Sequence, residues 1–219
     1  MIKRKKIIDN INEALNRGRI VSILGPRQCG KTTLARQFAQ PGSPYYFDLE
    51  DPIDNAKLAE AQNALQNLKG TVVIDEVQRQ PELFPLLRVL ADRIPLPAKF
   101  LILGSASPNL IKDAAESLAG RVERIRIGGF SLEEVGQKNS EQLWLRGGLP
   151  CSFLANTDKD AFTWLKEYVQ SFVERDLPLH GVSLPPITLI RFWTMLAHYH
   201  GQIFNASEIA RSLGISIMT

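Results

Sequence analysis

The residues whose types and spacing could do chemistry begin with a short glycine-containing run near the amino terminus. The run fits the pattern G-x-x-x-x-G-K-[S/T] and comprises Gly25, Pro26, Arg27, Gln28, Cys29, Gly30, Lys31 and Thr32. The glycines let the backbone curl so that its amide groups face an anion, and the helix that should follow presents its amino end to the same anion. We therefore predict a phosphate-binding loop over these residues, extended by Thr33.

Two side chains of this run have separate predicted roles. Lys31 is placed to reach the β- and γ-phosphates of a nucleotide, and the hydroxyl of Thr32 is placed to hold Mg²⁺. The sequence therefore predicts ATP and Mg²⁺ as the bound groups. It leaves the choice between ATP and GTP open.

A second motif, which is acidic, lies about 45 residues after the glycine-containing run. The apolar run 72–74 leads into Asp75 and Glu76, which is typical of a strand that ends at a metal–nucleotide site. We expect Asp75 to bind Mg²⁺ through water and Glu76 to orient or deprotonate the attacking water. The adjacent second acid favours hydrolysis over transfer of phosphate to another substrate.

Two further residues are candidates for contact with the reacting phosphate. Ser105 follows the apolar run 101–103, and its hydroxyl could bond the γ-phosphate or the water; a simple turn serine is the alternative. Arg121 is our first candidate for a guanidinium that stabilises charge in the transition state, in cis or from a neighbouring subunit. Arg27 and Arg175 are the runners-up, and for each arginine a surface salt bridge is the alternative.

The elements that must position these residues alternate between strand and helix. Apolar runs predict strands over residues 20–24, 45–49, 71–74, 100–103 and 122–127. Helical spacing predicts helices over residues 7–17, 34–39, 53–68, 81–93 and 108–118, with Pro81 in the first turn of its helix. This alternation predicts an α/β fold with a parallel sheet covered by helices on both faces.

The pattern changes after Gly128 and Gly129. Ser131 and Glu134 have the spacing of a capping box, and helices are predicted over 160–175, 187–200 and 206–213. We therefore divide the chain into an ATPase domain over 1–128 and a helical domain over 129–219. Residues 205–215 resemble half of a helix-turn-helix, so we expect either a truncated chain or a frayed natural terminus at Thr219. Whether this half-motif binds DNA or only packs as part of a winged helix stays open.

Composition narrows the classes of protein. The net charge is +3, but residues 1–40 alone carry nine Lys and Arg against two Asp and Glu, which suggests an anionic ligand or a solvated helix face. Two cysteines do not make a disulfide framework, and no apolar run approaches the roughly 18 residues of a membrane span. We predict a reduced, cytoplasmic protein with no membrane partner.

Several conspicuous residues have ordinary interpretations. Cys29 is expected to be a small neutral side chain in the loop, with an oxidation switch as the alternative. His198 and His200 lack ligand partners at metal-binding spacing. The three tryptophans are predicted to lie in the core of the helical part; they are Trp144, Trp164 and Trp193.

Taken together, these motifs resemble the AAA-type ATPases of bacteria and archaea that carry a second domain of unknown function (number 4143). The resemblance runs through GPRQCGKTTL, IDEVQ, LGSAS, SLAGRV and FSLEE, and continues through Glu174-Arg175-Asp176. It implies a sheet with strand order 5-1-4-3-2 and an ATP–Mg²⁺ site at the carboxyl ends of the strands. The site residues that it implies are Gly30, Lys31, Thr32, Asp75, Glu76, Ser105 and Arg121.

The function predicted from the sequence is Mg²⁺-dependent ATP hydrolysis that drives a conformational change. Two alternatives remain, a nucleotide switch that does not hydrolyse ATP and a DNA-associated regulatory protein. The partners under consideration are ATP, DNA through the half-motif, and further copies of the chain.

Overall fold

The computed structural model describes residues 2–105 and 117–216, and for Ser105 it describes the backbone only. The predicted helix over 108–118 therefore lies outside the described residues apart from its last two. The chain forms two compact units, residues 1–161 and 162–219. Residues 129–161, which the sequence interpretation assigned to the helical domain, pack with the first unit.

Five parallel strands make the sheet of the described first unit. They are β1 (Ile20–Gly25), β2 (Tyr46–Asp48), β3 (Gly70–Asp75), β4 (Ala98–Ser105) and β5 (Val122–Arg126). Their spatial order is β2-β3-β4-β1-β5, which confirms the order 5-1-4-3-2 read from the opposite edge. Since β4 lies between β1 and β3, the chain places the glycine-rich loop and the acidic motif on either side of one strand.

Helices connect the strands and continue beyond them. Those in or beginning in the first unit are α1 (Lys5–Arg17), α2 (Lys31–Ala35), α3 (Pro52–Lys57), α4 (Ala61–Leu65), α5 (Leu83–Ala91), α6 (Leu132–Val135), α7 (Ser140–Arg146), α8 (Pro150–Phe153) and α9 (Asp158–Ser171). Three predictions are corrected here. The predicted helix 53–68 is broken by a 3-10 turn at Leu58–Glu60, α2 ends at Ala35, and Pro81 precedes α5 instead of starting it.

Both faces of the sheet are buried, as the apolar strands predicted. Phe100 and Ile102 of β4 belong to the core cluster on one face, and Leu101 and Leu103 belong to the cluster on the other. All four are at most 1% exposed. The two clusters explain why β4 reads as a continuous apolar run rather than an alternating one.

The second unit is helical. It contains the end of α9, a π-helical turn (Phe172–Asp176), α10 (Leu177–Leu179), α11 (Pro186–His198) and α12 (Ala206–Leu213). A row of stacked rings joins α9, the π-helical turn and α11, with centroids 5.2–6.1 Å apart; its members are Trp164, Tyr168, Phe172 and Trp193. Asn205 caps α12 by accepting bonds from the amides of Ser207 and Glu208.

Trp144 departs from the prediction that the tryptophans lie in a core. It lies on α7, and 87% of its surface is exposed. Trp164 and Trp193 are half-buried. Among the described helices, none combines the length and apolar character needed to cross a membrane.

Burial on both faces of β4 leads to a stability prediction. Phe100→Ala and Leu101→Ala should each lower the free energy of unfolding by about 2–5 kcal/mol, because each opens a cavity on a different face of the sheet. Val89→Ala, at a 63% exposed position on α5, should change it by less than about 0.5 kcal/mol. Urea denaturation of the three variants checks this, and a small effect of either core substitution would mean that its face is not packed.

Candidate active site at the carboxyl edge of the sheet

The glycine-rich run forms the connection between β1 and α2. Gly30 caps α2 with a φ of 96°, and Gln28 also has a positive φ, of 60°. The loop starts in a crowded place, since a Cβ on Gly25 would lie 2.4 Å from the carbonyl oxygen of Ile127 and 2.9 Å from Cys29 Sγ. Only glycine fits at that position, so packing requires the first glycine of the motif.

Lys31 places a buried positive charge at this loop. Lys31 is only 5% exposed. The Nζ atom donates hydrogen bonds to the carbonyl oxygens of Gly25 at 3.1 Å and Pro26 at 3.0 Å. The ammonium group is thus held against the loop by neutral carbonyls.

Asp75 places a buried negative charge at the end of β3. It is 1% exposed, and its Oδ2 accepts a hydrogen bond of 2.9 Å from the hydroxyl of Tyr46 on β2. Its Oδ1 accepts a bond of 3.0 Å from the amide of Glu76. Burial and the charge of Asp75 raise the pKa of Tyr46 well above its usual value, so the phenol stays a neutral donor. These bonds fix the carboxylate and leave each oxygen a second lone pair for a metal or its water.

Glu76 follows in an unusual backbone conformation. Its φ is 53° and its ψ is 43°, in the left-handed region that a glutamate seldom adopts. Burial raises the pKa of Glu76, the side-chain amide of Gln78 lowers it by donating to Oε2, and the charge of Asp75 raises it again. The net pKa lies above the usual value. Gln78 is therefore a site residue that the sequence interpretation missed, although its place in IDEVQ was visible.

The register of the strands brings these groups to one edge. Ser105 ends β4 and pairs with Gly25 in the β1–β4 register, so its backbone lies beside the start of the loop. Two inter-strand spacings, about 10 Å, separate β1 from β3. Groups at the carboxyl ends of β1 and β3 are therefore close enough to contact one phosphate–metal complex lying over the end of β4.

Arg121 lies at the opposite edge. Its carbonyl accepts a bond of 3.3 Å from the amide of Ile20, the first residue of β1, and β1 rises about 17 Å from there to the loop. Its guanidinium pairs with Asp92 at 2.7 Å, and Arg19 pairs with the same carboxylate at 2.9 Å. The bonds from Arg121 hold the pKa of Asp92 below its usual value. A role for Arg121 in cis is therefore wrong on distance, and a role toward a neighbouring subunit stays a prediction.

The other residues predicted to bind the nucleotide or Mg²⁺ differ in how far they are exposed to solvent. Pro26, Gln28 and Thr33 are exposed, and Arg27 and Thr32 are half-buried.

Cys29 and Arg175 were singled out for other reasons. Cys29 is fully buried, and burial raises the pKa of its thiol, which works against the oxidation switch. Arg175 is exposed on the π-helical turn of the second unit.

The donor set fits Mg²⁺. The hydroxyl of Thr32 on the first turn of α2 and the carboxylate of Asp75 are hard oxygen ligands, which Mg²⁺ prefers. Within residues 2–105 and 117–216, no three or more His, Cys, Asp or Glu side chains gather as a metal site. A site with so few protein ligands suits an ion that keeps several waters and takes phosphate oxygens from its substrate.

Arg4 is a second site residue that the sequence interpretation missed. It precedes α1, is 6% exposed, and donates a bond of 3.1 Å to the carbonyl of Cys29 in the loop. It also lines a cleft of about 550 Å³ between residues 3–10 and 126–134. In the sequence it was only one of nine basic residues in a charged segment.

The contact at Gly25 gives a test of the loop's packing. Gly25→Ala should lower the free energy of unfolding by about 1–3 kcal/mol, because the added methyl group overlaps a backbone carbonyl. Gly128→Ala is the matched control, since a Cβ there meets nothing within 4 Å, and its effect should stay below about 0.5 kcal/mol. Equal effects of the two substitutions in thermal denaturation would contradict the close approach.

Comparison with solved structures supports the fold described above. The Walker-type ATPase Paby2304 of Pyrococcus abyssi superposes with a TM-score of 0.58 and 18% identity, over 81% of this chain and 75% of that one. At this identity the likeness concerns the fold alone.

Sequence comparison finds much closer relatives. The uncharacterized proteins Mb2031c of Mycobacterium bovis and Rv2008c of Mycobacterium tuberculosis are each 49% identical over all 219 residues. The chain spans about half the length of these curated relatives, 50% in each case.

Family models cover nearly the whole chain. A model described as an AAA domain matches residues 17–136, and one described as a domain of unknown function (number 8612) matches residues 137–219. The number differs from the 4143 of the resemblance, while the arrangement of an AAA domain followed by a domain of unknown function is the expected one. The chain belongs to the AAA family of P-loop NTPases, and its AAA domain is followed by this domain of unknown function.

Proposed function

We propose that this protein binds ATP with Mg²⁺ and hydrolyses the terminal phosphate. One observation carries the proposal. The buried ammonium of Lys31 bonds to the last carbonyl of β1, and the buried carboxylate of Asp75, followed by Glu76, ends β3. These charges flank the end of β4 at one edge of the sheet. This is the charge arrangement that a metal–triphosphate complex requires.

In this proposal the loop and its lysine bind the phosphates. The amides of residues 27–32 and the ammonium of Lys31 contact the β- and γ-phosphates. Thr32 and Asp75 would hold Mg²⁺, and the ion would supply positive charge to offset that of the phosphates. When phosphate binds, the Lys31 ammonium exchanges its hydrogen bonds to the carbonyls of Gly25 and Pro26 for bonds to phosphate oxygens. The net gain in binding energy is therefore smaller than the strength of the new bonds alone.

Glu76 positions the attacking water. A carboxylate adjacent to the metal ligand can accept a proton from water or hold it in line with the γ-phosphate. The raised pKa of Glu76 brings the group closer to the working pH than an exposed glutamate, which favours proton acceptance. Gln78 restrains the carboxylate through the bond to Oε2.

The cleft beside the loop supplies room for the rest of the nucleotide. It lies between residues 3–10 and 126–134 and joins the loop through Arg4. A volume of about 550 Å³ is within the range of small-molecule sites. We assign the nucleoside part of ATP to this cleft.

A conformational change is the proposed output of hydrolysis. Residues after β5 approach the loop directly, since a Cβ on Gly30 would lie 3.8 Å from Cγ of Pro150 on α8. A change in the loop would therefore be transmitted to residues 147–150, which lie within the region that the second family model matches.

A nucleotide switch that does not hydrolyse ATP is the second candidate. Two observations favour it. The carboxylate of Glu76 is already engaged by Gln78, and Arg121 lies at the far edge of the sheet and cannot reach a bound phosphate in cis. Turnover that depends on an arginine from another subunit would be slow in an isolated chain.

Paired measurements on Glu76→Gln and Lys31→Ala test the proposal. Glu76→Gln should bind ATP–Mg²⁺ within about threefold of the wild type and lose about 10²–10⁴-fold in phosphate release, because it removes only the group that acts on water. Lys31→Ala should weaken ATP binding by at least about tenfold, since it removes a charge-assisted contact with phosphate. The measurements are isothermal titration calorimetry and steady-state phosphate release.

The outcomes separate the two candidates. ATP binding with no turnover in the wild type would support the switch and overturn hydrolysis for this chain. A Glu76→Gln variant that hydrolyses as fast as the wild type would contradict the role of Glu76. Absence of ATP binding in a folded wild type would contradict both candidates.

The pKa of Glu76 leads to a pH prediction. The group must be ionised to act, so the rate of hydrolysis should fall as the pH drops through the raised pKa of Glu76. Gln78→Ala removes the one hydrogen bond that lowers this pKa and should move the acid limb of the kcat–pH profile to higher pH. Gln62→Ala, at an exposed position on α4, is the control and should leave the limb in place. A limb that moves to lower pH in Gln78→Ala would contradict the assignment.

A further inference from the structure

Arg4 makes an unusually complete set of hydrogen bonds for a side chain outside the predicted motifs. Guanidinium carries five N–H donors, and the structure shows five bonds from them. Nε and Nη2 donate to the two carboxylate oxygens of Glu134 at 2.7 and 3.2 Å. Nη1 and Nη2 donate to three backbone carbonyls at 3.1 Å, those of Cys29, Gly128 and Gly129.

These bonds join three separate segments. Cys29 belongs to the phosphate-binding loop, residues 128–129 follow β5, and Glu134 lies in α6. The guanidinium also lies 5.6 Å from the ring centroid of Phe130. Since Arg4 is 6% exposed, these are buried contacts that solvent screens little.

Glu134 is itself fixed in place. It closes the predicted capping box with Ser131, which the structure confirms. Burial acts to raise the pKa of Glu134, but the bonds from Arg4 and Ser131 hold it below its usual value, so the carboxylate is ionised at neutral pH. Arg4 therefore keeps a charged partner while its remaining donors bind the carbonyls.

The segment after β5 continues the connection through a backbone contact. Phe130 donates its amide hydrogen to the carbonyl of Gly148 at 2.6 Å. A Cβ on Gly129 would lie 2.5 Å from the Gly148 carbonyl group, and a Cβ on Gly148 would lie 2.5 Å from the carbonyl oxygen of Phe130. The two backbones cross without side chains between them, and Pro150, two residues further on, approaches Gly30 of the loop.

We propose that Arg4 is a positioning residue of the phosphate-binding loop, and that it couples the loop to residues 128–150 through the crossing of Gly129 and Gly148. The argument rests on the geometry of one peptide group. The carbonyl of Cys29 and the amide of Gly30 belong to the same planar trans peptide, so they point in opposite directions. Because Arg4 holds that carbonyl, the N–H of Gly30 points away from Arg4. Its orientation as a hydrogen-bond donor of the loop is thereby fixed.

This role needs an arginine. Its rigid planar fork can reach Glu134 and three carbonyls at once, whereas a lysine offers a point charge with three donors on a flexible stem. Arg4→Lys should therefore retain the charge beside Glu134 and lose the bonds that orient the loop. The inference deepens the proposed function, because it concerns the regulation of the same ATP site.

The experiment uses four variants of the full chain. Arg4→Ala and Arg4→Lys disturb the bond to Cys29. Glu134→Gln removes the ionic partner but leaves Arg4 and its carbonyl bonds. Arg17→Ala is the matched control, because Arg17 lies at the end of α1, outside the cleft, and pairs with Glu123 in an exposed ion pair. The readouts are the dissociation constant for ATP–Mg²⁺, hydrogen exchange of residues 27–32 in the nucleotide-free protein, and the melting temperature.

We expect substitutions of Arg4 to change the loop and its ATP affinity more than their effect on the protein's stability alone would explain. Arg4→Ala and Arg4→Lys should weaken ATP binding by about tenfold or more and speed exchange of the loop amides. Glu134→Gln should lower the melting temperature at least as much as Arg4→Lys does, yet weaken ATP binding by less than about threefold. Arg17→Ala should resemble the wild type in all three readouts.

Two results would overturn the inference. One is equal loss of ATP affinity in Arg4→Lys and Glu134→Gln at equal loss of melting temperature, which would give Arg4 a purely structural role. The other is unchanged exchange of the loop amides in a folded Arg4→Ala protein. The exchange measurement needs no nucleotide, so it tests Arg4 even if the wild type fails to bind ATP and the proposed function falls.

Discussion

Burial of the sheet on both faces is the constraint on which the rest of the molecule depends. Strands covered by helices on each side have no room for polar chemistry along their length, because a buried polar group must find a partner there. Ser22 in β1 is a buried polar residue within a strand, but the buried charges of the proposed site, Lys31 and Asp75, lie beyond or at the strand ends. The parallel arrangement places the carboxyl ends of β1, β3 and β4 side by side, so one edge of the sheet collects the loop and both acids.

At that edge, buried charges of opposite sign are satisfied by neutral dipoles. The bonds described for Lys31 run to backbone carbonyls, and those described for Asp75 come from a phenol and an amide. Neutral partners compensate a buried charge less fully than an opposite charge does. An anionic substrate and a cation would therefore bind where the protein has already desolvated the matching groups, which is the basis of electrostatic preorganisation.

Local signals in the sequence, namely the apolar runs, the glycines and the acidic pair, predicted the parallel sheet and the position of the loop. The strand order came from the family resemblance. The prediction that Arg121 acts in cis was wrong, because the motif SLAGRV identifies the residue but does not show at which edge of the sheet it lies. The sequence interpretation also missed Arg4, Tyr46 and Gln78. Their importance comes from partners far along the chain or from a side-chain direction, as with Arg4 and Glu134, which are 130 residues apart. Trp144 was misplaced because helical spacing alone does not say which face of α7 is covered.

The two edges of the sheet are held together by different forces. At the amino edge, Asp92 accepts exposed ion pairs from Arg19 and Arg121, whereas the carboxyl edge is made of buried bonds around Lys31 and Asp75. The Debye length shrinks to about 3 Å in 1 M salt, so dissolved ions weaken exposed pairs and leave buried ones largely intact. Ionic strength therefore acts unevenly on this domain, and it loosens the edge remote from the chemistry before it reaches the edge where the chemistry is proposed to occur.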